Sequence, residues 1–157
     1  MTTANDIKKV NKNLKKVLFD ITNKKQMKKL GNLTIGLVHD RVRNKGKGIA
    51  RPEGNRRTLK KVTEKYALWR AKQDNKHSQA ATGRKSNLTF TGDMLDDMQL
   101  VELDKNHFKI GYGNDENQDK SDHQHAQGRQ FLYLGKSELK LLKKAYDLRV
   151  NKIVKKS

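Results

Sequence analysis

Apolar residues recur at helical spacing in the first third of the chain. Positions 7, 10, 14, 17, 18 and 21 form one stripe, and Asn5 is suited to cap the helix that this spacing predicts. A second helix is predicted from Lys24 to Arg43. Its apolar side consists of Met27, Leu30, Leu33, Leu37 and Val38.

A third helical stripe is formed by Leu59, Val62, Tyr66 and Trp69, and Thr58 is its predicted N-cap. Because Trp69 continues the apolar stripe, we interpret this residue as a packing anchor in the core.

The second half of the chain has a mixed pattern that begins with a short helical turn. Thr91-Gly92-Asp93 opens this turn, which runs through Met94, Leu95 and Met98. Alternating apolar residues then predict a hairpin over residues 99–113, with its turn at Asp104 to Asn106.

Three further elements are predicted after the hairpin. Asn114 to Gln127 is interpreted as a polar loop with a helical turn near its end, and Phe131 to Leu134 as a short third strand. Ser137 is the predicted cap of a C-terminal helix. One face of that helix carries Leu139, Leu142, Tyr146, Val150 and Ile153. Leu141 and Leu148 lie off this face and suggest a second contact surface.

These elements predict an α+β fold in one domain, residues 1–157. Its parts are N-terminal helices over residues 1–43, basic loops at 44–57 and 72–87, and an α+β half over 88–157. The second half would hold a small antiparallel sheet flanked by helices, the last of them long. Leu, Ile, Val and Phe together number 35 of 157 residues, enough for a modest core only.

Charge changes this picture because it is unevenly distributed. The formal net charge is +19. Residues 1–85 hold 24 Lys and Arg against 6 Asp and Glu, whereas residues 91–122 hold 3 against 9. A basic half favours phosphate polymers, because each phosphate that is neutralised releases counterions. The lysines within residues 8–29 fit solvated helix faces equally well.

The two basic loops are the candidate contact sites for nucleic acid or for an acidic partner. Gly46, Gly48, Gly54 and Pro52 exclude a continuous helix in the first loop, where arginine forks can grip phosphate oxygens. The candidate residues are Arg41, Arg43, Lys45, Lys47, Arg51, Arg56, Arg57, Arg84 and Lys85.

No arrangement of residues predicts catalysis, a cofactor or a metal. Gly135-Lys136-Ser137 lacks the glycine that a phosphate-binding loop needs at position 130, and His123 and His125 have no further ligands at a recognisable spacing. There are no cysteines and no long apolar run. We therefore expect a non-enzymatic protein that is synthesised in the cytoplasm and has no membrane partner.

The order of motifs in residues 88–145 resembles the virion-morphogenesis family of bacteriophages, the tail-completion or head–tail joining proteins of the neck. A Thr-Gly element is followed by the hairpin, a His-containing loop, an Arg-x-Phe-Leu strand and a C-terminal helix. The matching positions are Thr91, Gly92, Leu95, His123, Gly128, Arg129, Phe131 and Leu132.

This resemblance implies a structural protein of the virion that assembles as a ring, with a hexamer as the implied form. Its partners would be other copies of itself, neighbouring neck or connector proteins, and tail-tube or sheath proteins. Viral DNA passing through the lumen would be contacted through its phosphates. The alternative is a basic DNA- or RNA-binding protein without sequence specificity.

Overall fold

The computed structural model describes residues 12, 14–16, 23–73, 83–88 and 93–155. Residues 12 and 14–16 are helical, and the other positions of the first apolar stripe lie outside the described residues, as do Asn5, Thr91 and Gly92. The fold is α+β with a long C-terminal helix, which confirms the predicted class.

Helix α1, Lys24–His39, continues as a π-helical stretch, Asp40–Asn44, and confirms the second predicted helix. The Asn23 side chain caps it by accepting a hydrogen bond from the Gln26 N–H (2.9 Å). Its buried positions Met27, Gly31, Thr34 and Val38 alternate in steps of four and three.

The first basic loop contains a small antiparallel ladder, in which β1, Lys47–Gly48, pairs with β2, Arg57–Thr58. Thr58 therefore lies in a strand, and its prediction as a helix cap is wrong. Gly48 allows the chain to pass close to residue 130, because a Cβ here would lie 2.1 Å from the Gln130 carbonyl oxygen.

The prediction of a third strand at Phe131 to Leu134 is wrong. The chain bends at Leu132 and Tyr133, and single backbone hydrogen bonds reach it from Ile49 (3.0 Å, to the Gln130 carbonyl) and from Glu53 (2.9 Å, to the Leu134 carbonyl). Pro52 lacks an N–H and Glu53 has a φ of 55°, so the facing chain does not continue a ladder.

Helix α2, Glu64–Ala71, is shorter than the third stripe predicted, and Thr63 caps it. Its buried residue is Ala67, whereas Trp69 is 46% exposed and stacks on Tyr66 with ring centroids 5.5 Å apart. The prediction of Trp69 as a core anchor is wrong. Residues two apart on a helix point in different directions, so burying Ala67 turns Trp69 outward.

The hairpin is confirmed: β3, Met98–Leu103, pairs antiparallel with β4, Phe108–Tyr112. It follows helix α3, Asp93–Asp96, whose Met94 and Leu95 are buried, as the predicted helical turn requires. Met98 already belongs to the strand.

The segment predicted as a polar loop is largely helical, and that prediction is wrong. Helix α4 spans Asp115–Ala126, with Asn114 accepting a cap hydrogen bond from the Asn117 N–H (2.9 Å). A Glu116–Lys120 ion pair (2.7 Å) joins successive turns. Capping and polar pairs at this spacing stabilise the helix. It has no apolar stripe, which is why the sequence pattern did not predict it.

Helix α5, Lys136–Val154, confirms the long C-terminal helix, but its N-cap is Gly135 and Ser137 lies inside it. The Gly135 N–H donates to the Glu138 carboxylate (3.1 Å), which replaces the predicted hydroxyl cap. The core lies between α1, the hairpin and the segment after α4. Its buried residues are Val38, Val42, Leu59, Met94, Leu95, Met98, Tyr112 and Phe131.

Candidate nucleic-acid interface

The two basic loops of the sequence meet in space. The Leu59 N–H donates to the Gly46 carbonyl (2.9 Å), and the Val62 N–H donates to the Arg84 carbonyl (3.1 Å). The Asn87 side-chain amide reaches the Arg43 carbonyl (3.4 Å). Residues 43–47, 57–62 and 84–87 therefore form one surface.

A groove of about 540 Å³ lies where these three segments meet, and we call it the basic groove. Its lining consists of Arg43, Asn44, Lys45, Gly46, Lys47, Thr58, Leu59, Lys61, Lys85, Ser86 and Asn87. Five of these residues are cationic, and among the described residues no carboxylate lines the groove.

Two of the five cations have acidic partners beside the groove. Arg43 pairs with Asp96 (Nη2···Oδ1 2.5 Å), and Lys45 pairs with Asp40. The hydrogen bond from Lys45, aided by one from Asn44, lowers the pKa of Asp40, so this carboxylate stays ionised at neutral pH.

The other three cations, Lys47, Lys61 and Lys85, form no ion pair within residues 23–73, 83–88 and 93–155. Lys47 donates to the Thr58 hydroxyl (2.7 Å), which holds its ammonium group without neutralising it. The groove therefore keeps a positive charge for an incoming anion.

Arg41 does not belong to this surface, and its prediction as a nucleic-acid contact is wrong. The side chain is fully buried, pairs with Glu138 and donates to the Phe131 carbonyl. Burial lowers the pKa of Arg41, and the charge of Glu138 opposes that shift. Arg41 and Val42 follow the buried Val38 by three and four residues and so lie on the core side of the helix, whereas Arg43 lies at the surface.

Glu138, the buried partner of Arg41, is a residue that sequence reasoning missed. It is fully buried and accepts from Arg41 and from Arg56, whose Nη2 lies 3.4 Å from Oε1. Its place three residues after Gly135 is a capping signal. Its two arginine partners lie 97 and 82 residues away in the chain and leave no local signal.

The remaining candidates lie outside the basic groove. Arg51, Arg56 and Arg57 are on the exposed loop around β2. Arg84 turns back, and its Nε donates to the Val62 carbonyl (3.2 Å). The groove thus contains four predicted residues, Arg43, Lys45, Lys47 and Lys85, and one that was missed, Lys61. The basic pair Lys60-Lys61 was the available signal for it.

The motif positions of the second half mostly serve packing. Leu95 and Phe131 are fully buried in the same core cluster, and Leu132 packs against it. Arg129 donates to the Lys60 carbonyl (3.1 Å), the Lys61 carbonyl (3.4 Å) and the Gln124 side chain (3.1 Å). Arg129 thereby fastens the backbone that carries Lys61.

The other motif positions surround the end of α4. Gly128 has a φ of 78°, the left-handed conformation that ends a helix. His123 is exposed and lines a second cleft of about 550 Å³ together with Arg129 and Tyr66. The neighbouring His125 packs edge-on against Phe131 (5.0 Å), and burial lowers the pKa of this imidazole.

Searches of the described residues found no group of three metal-ligating side chains, and no helix there is long and apolar enough to cross a membrane. Comparison of the chain with models of protein families, with characterised proteins and with solved structures found no match.

Proposed function

We propose that this protein is a non-enzymatic structural subunit of a phage neck or tail end, which assembles as a ring around the DNA channel. The observation that carries this proposal is the packing of the motif residues. Leu95 and Phe131 are fully buried in one cluster, and Arg129 binds the chain at residues 60–61. If the resemblance is real, the shared motif positions should include residues that stabilise the fold, as these three do.

The distribution of charge supports assembly from copies of one chain. Arg51 and Arg57 are exposed on the loop around β2, outside the basic groove, and α4 presents the exposed carboxylates of Asp115, Glu116, Asp119 and Asp122. A protomer with two complementary surfaces can form heterologous contacts that close into a ring. Opposite charges on these surfaces would favour the correct orientation of neighbours.

Helix α5 adds apolar surface that one protomer leaves uncovered. Leu141 is 50% exposed and Leu148 is 61% exposed, in agreement with their position off the predicted apolar face. Exposed apolar side chains on one side of a helix are candidates for a contact surface. A neighbouring subunit would cover them in a ring.

Electron microscopy tests this proposal directly. The purified protein would be imaged by negative stain and its mass measured by light scattering, both alone and with its neck and tail partners. We expect closed rings, with a hexamer as the first candidate, in at least one of these mixtures. A monomer under every condition would contradict the proposal.

The basic groove favours a second candidate, a DNA- or RNA-binding protein without sequence specificity. Such a protein would bind free nucleic acid tightly without forming rings, with an affinity that falls steeply as salt rises. The same preparations therefore separate the candidates, because rings support the first and ring-free binding supports the second.

A further inference from the structure

We propose that the basic groove is a binding site for the phosphodiester backbone of a nucleic acid, with Lys47, Lys61 and Lys85 as its main contacts. This proposal rests on the proposed function, which includes a contact with DNA. It assigns that contact to the basic groove and excludes Arg41 and Arg56 as phosphate contacts.

The lining of the groove matches phosphate in its chemistry. Beside the cations it presents the exposed hydroxyl group of Thr58 and the exposed amide of Asn44, whereas Ser86 and Asn87 are buried in its wall. Lysine, arginine, hydroxyl and amide groups are the usual protein contacts to phosphate and sugar.

The same lining is unsuited to a protein partner. Among the described residues that line the groove, Leu59 is the single large apolar side chain, and it is only 4% exposed. The centre of a protein–protein interface is instead depleted of charged residues and rich in aromatic ones. We therefore favour nucleic acid over an acidic protein surface.

The backbone that carries the cations is held in place before any ligand arrives. Arg70 donates to the carbonyls of Gly83 (2.6 Å) and Lys85 (3.1 Å), and so ties the second loop to α2. A Cβ at Gly46 would lie 3.0 Å from the Ser86 carbonyl oxygen, which shows how closely the two loops pack. Because this backbone is already ordered, the conformational entropy that binding costs is mainly that of the lysine side chains.

The groove offers no free arginine fork for reading bases. The guanidinium of Arg43 is engaged by Asp96, and the three cations that form no ion pair within the described residues are lysines, which act as point charges. We expect an affinity that depends on salt and hardly on base sequence.

The test compares two neutralised variants of the full chain. Lys61→Gln/Lys85→Gln removes two groove cations, and the matched control Lys140→Gln/Lys152→Gln removes two exposed cations from α5. Binding to labelled duplex DNA, single-stranded DNA and duplex RNA would be measured by fluorescence anisotropy between roughly 50 and 200 mM salt. Circular dichroism would verify that both variants are folded.

For duplex DNA, we expect the slope of log binding constant against log salt concentration to become less steep by about two in the groove variant. The control variant should change this slope by much less. Equal slopes for both variants and the wild type would overturn the proposal. Binding of poly-glutamate as tight as that of duplex DNA would also overturn it, because the groove would then be a site for acidic protein. The three nucleic acids show which backbone is preferred.

Failure of this proposal can be told apart from failure of the proposed function. Rings that form while the groove variant binds DNA as the wild type does would refute the groove alone. Groove-dependent binding by a protein that never forms rings would refute the neck assignment and leave the groove in place.

Discussion

The buried contact between Arg41 and Glu138 links the end of α1 to the start of α5, across 97 residues of sequence. Both side chains are fully buried, and Glu138 also holds Arg56 and the Gly135 N–H. Arg41, which the sequence pattern predicted to bind phosphate, thus stabilises the fold. A buried charge is costly unless its partner is present, which makes each member of the pair depend on the other.

Removing one member of this pair should therefore cost more than removing both. We expect Glu138→Leu to lower the free energy of unfolding by about 3–5 kcal/mol, because Arg41 is left buried without a counter-charge. The double variant Arg41→Met/Glu138→Leu should recover most of that loss. Urea denaturation followed by circular dichroism measures both values.

The exposed Lys143–Asp147 pair on α5 (2.6 Å) supplies the control. We expect Asp147→Ala to cost less than about 1 kcal/mol, since exposed ion pairs contribute little. A double variant as unstable as Glu138→Leu would show that Arg41 is not the reason for the loss.

At the scale of elements, the predictable parts are those whose apolar spacing faces the core. α1 and the hairpin follow this rule, and α5 packs on α1, where Leu30 and Tyr146 line the same cavity. α4 has no apolar stripe, because a cap and polar side-chain pairs stabilise it. The residues from 131 to 134 resemble a strand, yet the facing chain at Pro52 cannot pair with them continuously.

The stability of α4 should depend on its cap more than its composition suggests. We expect Asn114→Ala to cost about 1 kcal/mol, because the Asn117 N–H loses its hydrogen-bond acceptor at the helix start. Thermal or urea unfolding measures the change, and Asn55→Ala in the exposed loop between β1 and β2 is the matched control. If both substitutions had the same effect, the cap would not stabilise α4.

At the scale of the whole molecule, the sequence predicts two basic loops but not that they meet. Each loop is tied to residues 57–62 by a backbone hydrogen bond, from Leu59 to Gly46 and from Val62 to Arg84, and such bonds have no side-chain signature in the sequence. Arg41 differs in this respect, because it follows Val38 by three residues and so lies on the apolar side of the helix, a local signal for burial. The meeting of the two loops has no such signal, so the groove becomes visible only once the chain is folded.

The exposed apolar residues of α5 carry the last prediction, which rests on the proposed ring. Leu141 and Leu148 are seven residues apart, two helical turns, and so lie on the same side of α5. Neither is needed by the protomer core, being 50% and 61% exposed. We expect Leu141→Gln/Leu148→Gln to abolish the rings seen by electron microscopy, while the thermal unfolding of the monomer hardly changes.

Leu68→Gln, at an equally exposed position on α2 (60%), should leave rings intact. Rings that persist in the α5 variant would place the subunit contact elsewhere, because losing two apolar side chains at a subunit contact removes the burial that stabilises it.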